Sequence, residues 1–190
     1  MKEDKRTVII YVHPYEKSFN SAMLAEICGK LKADEVPFDV IDLYKENFNP
    51  VYLPEELALF SRGESLDPLV KKYQDILRGA RRVIFQFPIW WMEAPAMLKG
   101  FFDKVMIPGF GYVKDEAGML VPVLDIPETL VVTTSEAPTE VFTSYFEGYF
   151  IPFILGTVGM HGARWLNCPG MTTGTDADRM QFIETVLSRL

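Results

Sequence analysis

Apolar segments of strand length alternate with segments of helical periodicity along this chain, and this alternation limits the possible folds more than any other feature. The strand-like segments are Thr7–Val12, Phe38–Leu43, Arg82–Phe87, Thr129–Thr134 and Ala163–Cys168. The first is continuously apolar and rich in β-branched residues, as expected for a strand covered on both faces. The pattern predicts right-handed β–α–β units and a parallel sheet with helices on both sides, which is an α/β fold.

Helix signals fill the intervals between these segments. Ser18 is a predicted N-cap, and Pro95 suits the first turn of a later helix. A further helix is expected over about residues 68–78. Thr175, with Asp178 three residues later, resembles the capping box of the last helix. The side chains of that helix expected to face inward are Met180, Ile183, Leu187 and Leu190.

Composition and charge exclude several classes of protein. The 190 residues, 48% of them hydrophobic, suit one domain over residues 1–190 with a sizeable core. A net charge of −7 argues against a general nucleic-acid binder, which needs a basic face. No uncharged apolar run is long enough to span a membrane, and the charged start MKEDKRTVII does not resemble a signal peptide. Cys28 and Cys168 lack metal-ligand spacing, so we expect no metal site and a reducing, cytoplasmic location.

The loop after the first strand has the features of an anion site. Ligands of open α/β sheets bind beyond the carboxyl ends of the strands. Here the segment HPYEKSFN at residues 13–20 leads from a strand into a capped helix, which brings free backbone N–H groups and the positive helix end together. His13 and Lys17 would add charge or donors, and Ser18 and Asn20 hydrogen bonds. The alternative is that Ser18 is only a helix cap and His13 only a loop residue.

The ends of the third and fourth strands carry aromatic and hydroxyl groups. Two adjacent tryptophans, Trp90 and Trp91, follow the third strand. Both cannot pack inside one small core without strain, so at least one should lie over a pocket or an interface, where an indole can contact a planar ring. The alternative is that both plug the end of the sheet. Thr133, Thr134 and Ser135 end the fourth strand with hydroxyls that could recognise the carbonyls of a heterocycle.

These loops resemble those of the flavodoxin-like NAD(P)H:quinone oxidoreductase family, which includes mammalian quinone reductases, bacterial modulators of drug activity and ancillary proteins of potassium efflux systems. The resemblance spans nearly the whole chain. The segments that carry it are HPYEKSFN (13–20), DLYKENFNP (42–50), IFQFPIWWMEAPAMLKGFFDKV (84–105) and Thr133–Thr134. It implies a flavodoxin-like three-layer sandwich with a five-stranded parallel sheet in the order 2-1-3-4-5. It also implies a homodimer with one flavin per subunit, bound at the dimer interface.

The resemblance assigns flavin contacts to residues at each strand end. The phosphate would be held by His13, Lys17, Ser18, Phe19 and Asn20. The isoalloxazine ring would be lined by Pro88, Ile89, Trp90 and Trp91. The pyrimidine end of the ring would be approached by Thr133, Thr134, Ser135 and Glu136. Arg179 lies where FAD-binding members place an arginine beside the adenine, which favours FAD over FMN.

The implied reaction is a two-electron, ping-pong hydride transfer from NAD(P)H to flavin N5 and onward to a quinone or similar acceptor. The alternative is a flavin-binding regulatory or ancillary subunit of a potassium efflux transporter, which would have that transporter as its partner. An electron-carrier flavodoxin is disfavoured because its phosphate loop is rich in Ser, Thr and Gly. A response-regulator receiver domain would need carboxylates where His13 and Pro14 stand.

The chain departs from the family pattern in two places. Many members have two glycines after the Thr-Thr pair, where Ser135 and Glu136 stand here. We therefore expect either that Glu136 turns outward or that its charge makes a bound flavin a weaker oxidant. The family's substrate-side Tyr and His also lack clear counterparts. The aromatic segment Val141–Ile154 supplies Tyr145 and Tyr149 as candidate catalytic residues. The favoured interpretation of the segment is the core of a dimer, and the two roles are compatible if the site lies at the interface.

Overall fold

A computed structural model describes residues 6–190, and its centre is a five-stranded parallel sheet. The strands in chain order are β1 (Thr7–Tyr11), β2 (Phe38–Asp42), β3 (Arg82–Pro88), β4 (Tyr112–Lys114), β5 (Leu120–Pro122), β6 (Glu128–Thr134) and β7 (Arg164–Cys168). The sheet order β2-β1-β3-β6-β7 is the predicted 2-1-3-4-5 when only the sheet strands are numbered. The predicted fold is therefore confirmed.

Helices cover both faces of this sheet. They are α1 (Phe19–Ala33), α2 (Pro54–Leu57), α3 (Pro68–Arg78), α4 (Ala96–Val105), α5 (Thr143–Tyr145) and α6 (Asp176–Leu187). Two 3₁₀ turns and one π-helix complete the regular structure, at Phe60–Arg62, Thr139–Phe142 and Phe146–Leu155. The predicted caps are present, since Ser18 accepts a hydrogen bond from Ser21 N–H and Thr175 forms a reciprocal box with Asp178. In the part of the chain that is described, no helix is long and apolar enough to cross a membrane.

Strand alternation divides the core into two layers. Val8 and Ile10 of β1 point toward α3, α4 and the π-helix, whereas Ile9 points toward α1 and α6. Each strand of the sheet centre therefore presents apolar side chains to both sides, which explains the continuous apolar run of β1. The same alternation decides which residues at the strand ends face a given side of the sheet.

One inward-facing prediction for α6 is wrong. Met180 is 57% exposed, whereas Val186, which was not predicted, is buried. The apolar face of α6 packs on the α1 side of the sheet through Ile183, Val186 and Leu187 in its later turns. Met180 lies in the second turn, outside that packed face, and is therefore left in solvent.

Two long connections join elements of the fold, one between β2 and α3 and the other between α4 and β6. The connection after β2 contains α2 and is pinned by buried Lys104, whose ammonium lies 2.9 Å from Glu56 and 3.5 Å from Asp67. The connection after α4 contains the β4–β5 hairpin, which the sequence analysis did not predict. Strands of three mostly exposed residues are too short to give a readable alternation.

The aromatic segment near residue 150 is an irregular helix. It begins with a 3₁₀ turn and continues through α5 into the π-helix, which contains Pro152. Proline lacks the N–H of a regular α-helix, so the wider turn accommodates it. Phe146 and Phe150 are buried, but Tyr149 and Phe153 are exposed. The segment therefore presents an aromatic stripe to the surface.

Candidate functional site

A cavity of about 380 Å³ lies where the carboxyl ends of β1, β3 and β6 meet. Its walls come from the loops after these strands and from the loop between β7 and α6. Eleven of the residues predicted from the sequence line it, namely His13, Ser18, Phe19, Asn20, Pro88, Ile89, Trp90, Thr134, Ser135, Glu136 and Arg179. Met171 also lines it and was not predicted. The cavity thus joins the three strand ends that the sequence singled out.

The first turn of α1 offers free donors to this cavity. Ser18 is the N-cap, and its hydroxyl accepts a hydrogen bond from Ser21 N–H at 3.1 Å. Phe19 and Asn20 occupy the next two positions, where backbone N–H groups have no partner within the helix. The first turn contains no acidic residue. Ser18 is therefore a helix cap and also lines a place suited to an anion.

His13 contributes a hydrogen-bond donor to the cavity. Its Nδ1 accepts a hydrogen bond from Tyr15 N–H at 3.1 Å, which leaves Nε2 to carry the hydrogen of the neutral ring. Burial lowers the pKa of His13, although the contact with Tyr15 opposes that shift. Burial therefore favours the neutral form of the ring. Its centroid lies 6.3 Å from that of Trp90, so the imidazole and the indole border the same space.

Asn20 connects α1 to two strands of the sheet and is only 4% exposed. Its side-chain nitrogen donates to the Thr134 hydroxyl at 2.9 Å, and its backbone carbonyl accepts from the side chain of Gln86 at 2.6 Å. Its Oδ1 atom has no hydrogen-bond partner among residues 6–190. Because Asn20 lines the cavity, this oxygen is a buried acceptor suited to the donors of a ligand.

A strained turn places the first tryptophan over the cavity. Trp90 and Glu93 exchange two backbone hydrogen bonds, at 3.0 and 3.1 Å, around a two-residue turn. Both central residues are left-handed, with φ of 49° at Trp91 and 72° at Met92, a conformation that side-chain-bearing residues seldom adopt. Trp90 lines the cavity, as the sequence analysis expected of one indole. Trp91 does not line it and is 98% exposed.

The Glu136 carboxylate is engaged by the loop before α6. Its Oε2 accepts from Thr172 N–H at 2.9 Å, and its Oε1 accepts from the Thr172 hydroxyl. These two hydrogen bonds lower the pKa of Glu136. The Ser135 hydroxyl is also occupied, since it donates to Ala137 O and accepts from the Asn167 amide, both at 2.8 Å. Glu136 thus lines the cavity, but both oxygens of its carboxylate are already engaged by Thr172.

Arg179 anchors the same loop from the other side. Its guanidinium donates to the Met171 carbonyl at 2.9 Å and to Asp176 at 2.7 Å. Met171 is thereby held against the cavity, which explains why a residue with no sequence signal lines it. A neighbouring cavity of about 550 Å³ shares only Glu136 with the first and continues toward Cys168.

Two further predicted contact residues lie outside the cavity. Lys17 is on the loop before α1, but its side chain is exposed and does not line the space. Thr133 is wholly buried on the opposite face of β6 from Thr134. Its hydroxyl donates to the Asn167 side chain and accepts from the Trp165 indole, both at 2.8 Å. Strand alternation prevents both threonines from facing the same cavity.

The two candidate catalytic tyrosines also lie outside the cavity. Their ring centroids are 6.0 Å apart, on α5 and the π-helix. Burial raises the pKa of Tyr145, which lies beside Ala94 in the loop after the strained turn. Tyr149 is more than half exposed. In the described part of the chain, no group of three His, Cys, Asp or Glu side chains could hold a metal ion.

The chain belongs to the family described as having a flavodoxin-like fold, whose model matches residues 5–190. A similar curated protein is NAD(P)H dehydrogenase (quinone) 1 from Rattus norvegicus, 34% identical over 124 residues. That match covers 57% of this chain and 45% of the rat protein. The matches to the first curated relatives cover 45% to 62% of those proteins.

Solved structures share the same architecture over almost the whole chain. Smu.1420 from Streptococcus mutans UA159 has a TM-score of 0.82 and 27% identity, with 97% of each chain covered. An FMN-dependent NADH-azoreductase from Bacillus anthracis str. Ames Ancestor, in complex with FMN, has a TM-score of 0.71 and 18% identity. The latter match covers 97% of this chain and 98% of the azoreductase, and it shows likeness of fold alone.

Proposed function

We propose that this protein is a flavin-dependent NAD(P)H:quinone oxidoreductase whose flavin binds in the 380 Å³ cavity. The observation that carries the proposal is that one cavity joins the free N–H groups of α1, the Trp90 indole and the polar end of β6. An anionic group, a flat ring and hydrogen-bonding ring atoms are the features that such walls complement. The names of the rat quinone dehydrogenase and of the azoreductase in complex with FMN support the same assignment.

The residues present fit such a cofactor. The phosphate would meet the N–H groups of Phe19 and Asn20, with Ser18 and His13 beside them. The unpartnered Oδ1 of Asn20 would accept from the hydroxyls of the ribityl chain. The ring would lie along Pro88, Ile89 and Trp90, with Thr134 at its pyrimidine end. We propose FAD, with FMN as the alternative, because Arg179 lies at the rim of the cavity.

A bound flavin would supply hydride acceptance from NAD(P)H at N5 and two-electron delivery to the acceptor in ping-pong order. The protein's own groups would bind the phosphate, orient the ring and exclude water. Tyr145 and Tyr149 remain proposed acceptor-side residues, since they lie near the loop that carries Trp90.

We also propose a cytoplasmic homodimer with the site at its interface. The support is exposed aromatic surface, at Trp91 on the strained turn and at Tyr149 and Phe153 on the π-helix. Isolated exposed aromatics are ordinary, but a strained turn that presents an indole to solvent suits a contact surface.

Anaerobic mixing tests the proposed reaction. Purified protein is loaded with FAD or FMN, mixed with NADPH or NADH in a stopped-flow spectrometer, and then given a quinone. We expect the flavin absorbance to bleach on addition of the nicotinamide and to recover with the quinone. Bound flavin that never bleaches would contradict the oxidoreductase assignment and favour the role of an ancillary subunit.

A further inference from the structure

A glutamine side chain is fully enclosed at the centre of the sheet. Gln86 lies in β3, which is paired on both sides with β1 and β6, and its exposed fraction is 0%. Two positions earlier in the same strand, Ile84 packs in the apolar layer beneath α1 and α6. Burying an amide costs free energy unless it is hydrogen-bonded, so its bonding partner indicates its role.

That partner is the first turn of α1. Gln86 Nε2 donates to the Asn20 carbonyl oxygen at 2.6 Å. The Asn20 side chain in turn donates to Thr134 at the end of β6. The first helical turn is therefore fixed to β3 through Gln86 and to β6 through Thr134, which are the strands that form the floor of the cavity.

The surroundings of Gln86 form a polar layer beneath that turn. Tyr11 of β1 is in register with Gln86 and is also buried. Burial raises the pKa of Tyr11, and the nearby Ser18 and Ser21 hydroxyls oppose the rise. Neither Tyr11 Oη nor Gln86 Oε1 has a hydrogen-bond partner within the described chain. The one side-chain bond made by Gln86 is thus the bond to Asn20.

We propose that Gln86 is a positioning residue for the flavin phosphate. Gln86 does not line the cavity, but it holds the carbonyl of Asn20. That residue lies in the first helical turn, whose free N–H groups at Phe19 and Asn20 we assign to the anion site. Hydrogen bonds weaken steeply as they depart from linearity, so a small shift of this turn would misdirect both donors. The inference rests on the proposed function, because it assigns these donors to a flavin phosphate.

Comparison of FMN with riboflavin isolates the effect of Gln86 on phosphate binding, because the two flavins differ only in the phosphate. In Gln86→Met, which has similar length but no donor, we expect FMN affinity to fall about tenfold. Riboflavin affinity should change little, so the ratio of the two affinities also falls about tenfold. Binding is measured by flavin fluorescence on protein shown to be folded by its thermal transition.

A second variant tests for a pH dependence of phosphate binding, which a loss of packing alone would not produce. In Gln86→Glu, a protonated carboxyl can donate to Asn20 O, whereas a carboxylate repels that oxygen; burial favours the protonated form. For this variant we compare the ratio of FMN affinity to riboflavin affinity with the wild-type ratio at the same pH. We expect the variant's relative ratio to decrease as the pH is raised from 5 to 8. The wild-type reference corrects for titration of the FMN phosphate itself.

The outcomes separate this inference from the proposed function. A lower melting temperature with an unchanged affinity ratio in Gln86→Met would show a purely structural role and overturn the inference alone. If Gln86→Met does not fold, a flat pH dependence in Gln86→Glu would overturn it. A wild-type protein that binds no flavin would overturn the proposed function and this inference with it.

Discussion

The side-chain amide of Asn20 donates a hydrogen bond to the Thr134 hydroxyl across 2.9 Å, joining residues 114 positions apart in the chain. Asn20 lies in the first turn of α1, and Thr134 is the last residue of β6. Both line the cavity. This bond therefore fixes the proposed phosphate side of the site relative to the proposed pyrimidine side.

Loss of this bond should reduce stability and flavin affinity together. Asn20→Ala and Thr134→Val should each lower the free energy of unfolding by about 1–3 kcal/mol. Each removes one partner of the hydrogen bond and leaves the other buried polar group without it. The double variant should lose less than the sum of the two single losses. Denaturant titration of all four proteins measures the coupling. Strictly additive losses would show that the bond contributes nothing.

The adjacent tryptophans provide a matched pair of variants. Trp90→Leu should weaken flavin binding about tenfold, because the indole borders the cavity and stacking contributes about 1–3 kcal/mol. Trp91→Leu changes the same residue type in the same turn, but the Trp91 side chain lies outside the cavity, so this variant should weaken flavin binding much less than Trp90→Leu does. Equal losses in the two variants would be inconsistent with the observed placement.

Glu136 should have little influence on the potential of the flavin. Its carboxylate is bound by Thr172, so Glu136→Gln should shift the two-electron midpoint potential by less than about 30 mV, which corresponds to a tenfold change in equilibrium. Redox titration against a dye of known potential measures the shift. A large positive shift would instead show that the charge acts on the ring.

The same carboxylate should make stability depend on pH. Hydrogen bonds from Thr172 lower the pKa of Glu136 below its ordinary value of 4.5. A group whose pKa is depressed on folding stabilises the protein above its unfolded pKa and loses that contribution as pH falls through the folded pKa. The stability difference between the wild type and Thr172→Val should therefore shrink below about pH 4.5.

The buried Lys104 ammonium should be essential for holding the connection after β2. Lys104→Met leaves the Glu56 and Asp67 carboxylates without their cation and should cost about 3–5 kcal/mol of unfolding free energy. Lys104→Met combined with Glu56→Gln removes charge of both signs and should recover part of the loss. Lys99→Met, on the exposed side of α4, is the control and should change stability by less than about 0.5 kcal/mol.

Acid should weaken this cluster. Burial alone would raise the pKa of Glu56, but the Leu53 N–H and Lys104 outweigh it, and the pKa is lowered. The stabilisation is therefore complete above the unfolded pKa and declines as pH falls through the folded value. Glu56→Gln should accordingly destabilise the protein at pH 7 more than at pH 3. An equal effect at both values would contradict the ion pairing.

The sequence predicted the five strands of the central sheet and most of the cavity lining, because both follow from local pattern. The apolar run of β1 and the cap at Ser18 are readable without knowledge of tertiary structure. The strand ends then meet because parallel strands place their carboxyl ends at one edge. The sequence could also have predicted that Thr133 and Thr134 separate, because side chains alternate along β6 and adjacent residues face opposite sides of the sheet.

Other features depend on contacts that a local pattern does not contain. Met171 reaches the cavity because Arg179 holds its carbonyl and Glu136 binds the next residue. Trp91 leaves the cavity because the turn at residues 90–93 is left-handed, which no glycine or asparagine signals in the sequence. Met180 is exposed because α6 packs on the sheet through Ile183, Val186 and Leu187.

Titration of flavin-free protein with riboflavin, FMN and FAD tests the central assignment most directly. If the cavity holds a flavin with its phosphate at the first turn of α1, FMN and FAD should bind at least about tenfold more tightly than riboflavin. High salt should reduce this advantage, because part of it is electrostatic. Equal binding of the three flavins, or binding of none, would contradict the placement of a flavin phosphate beside Phe19 and Asn20.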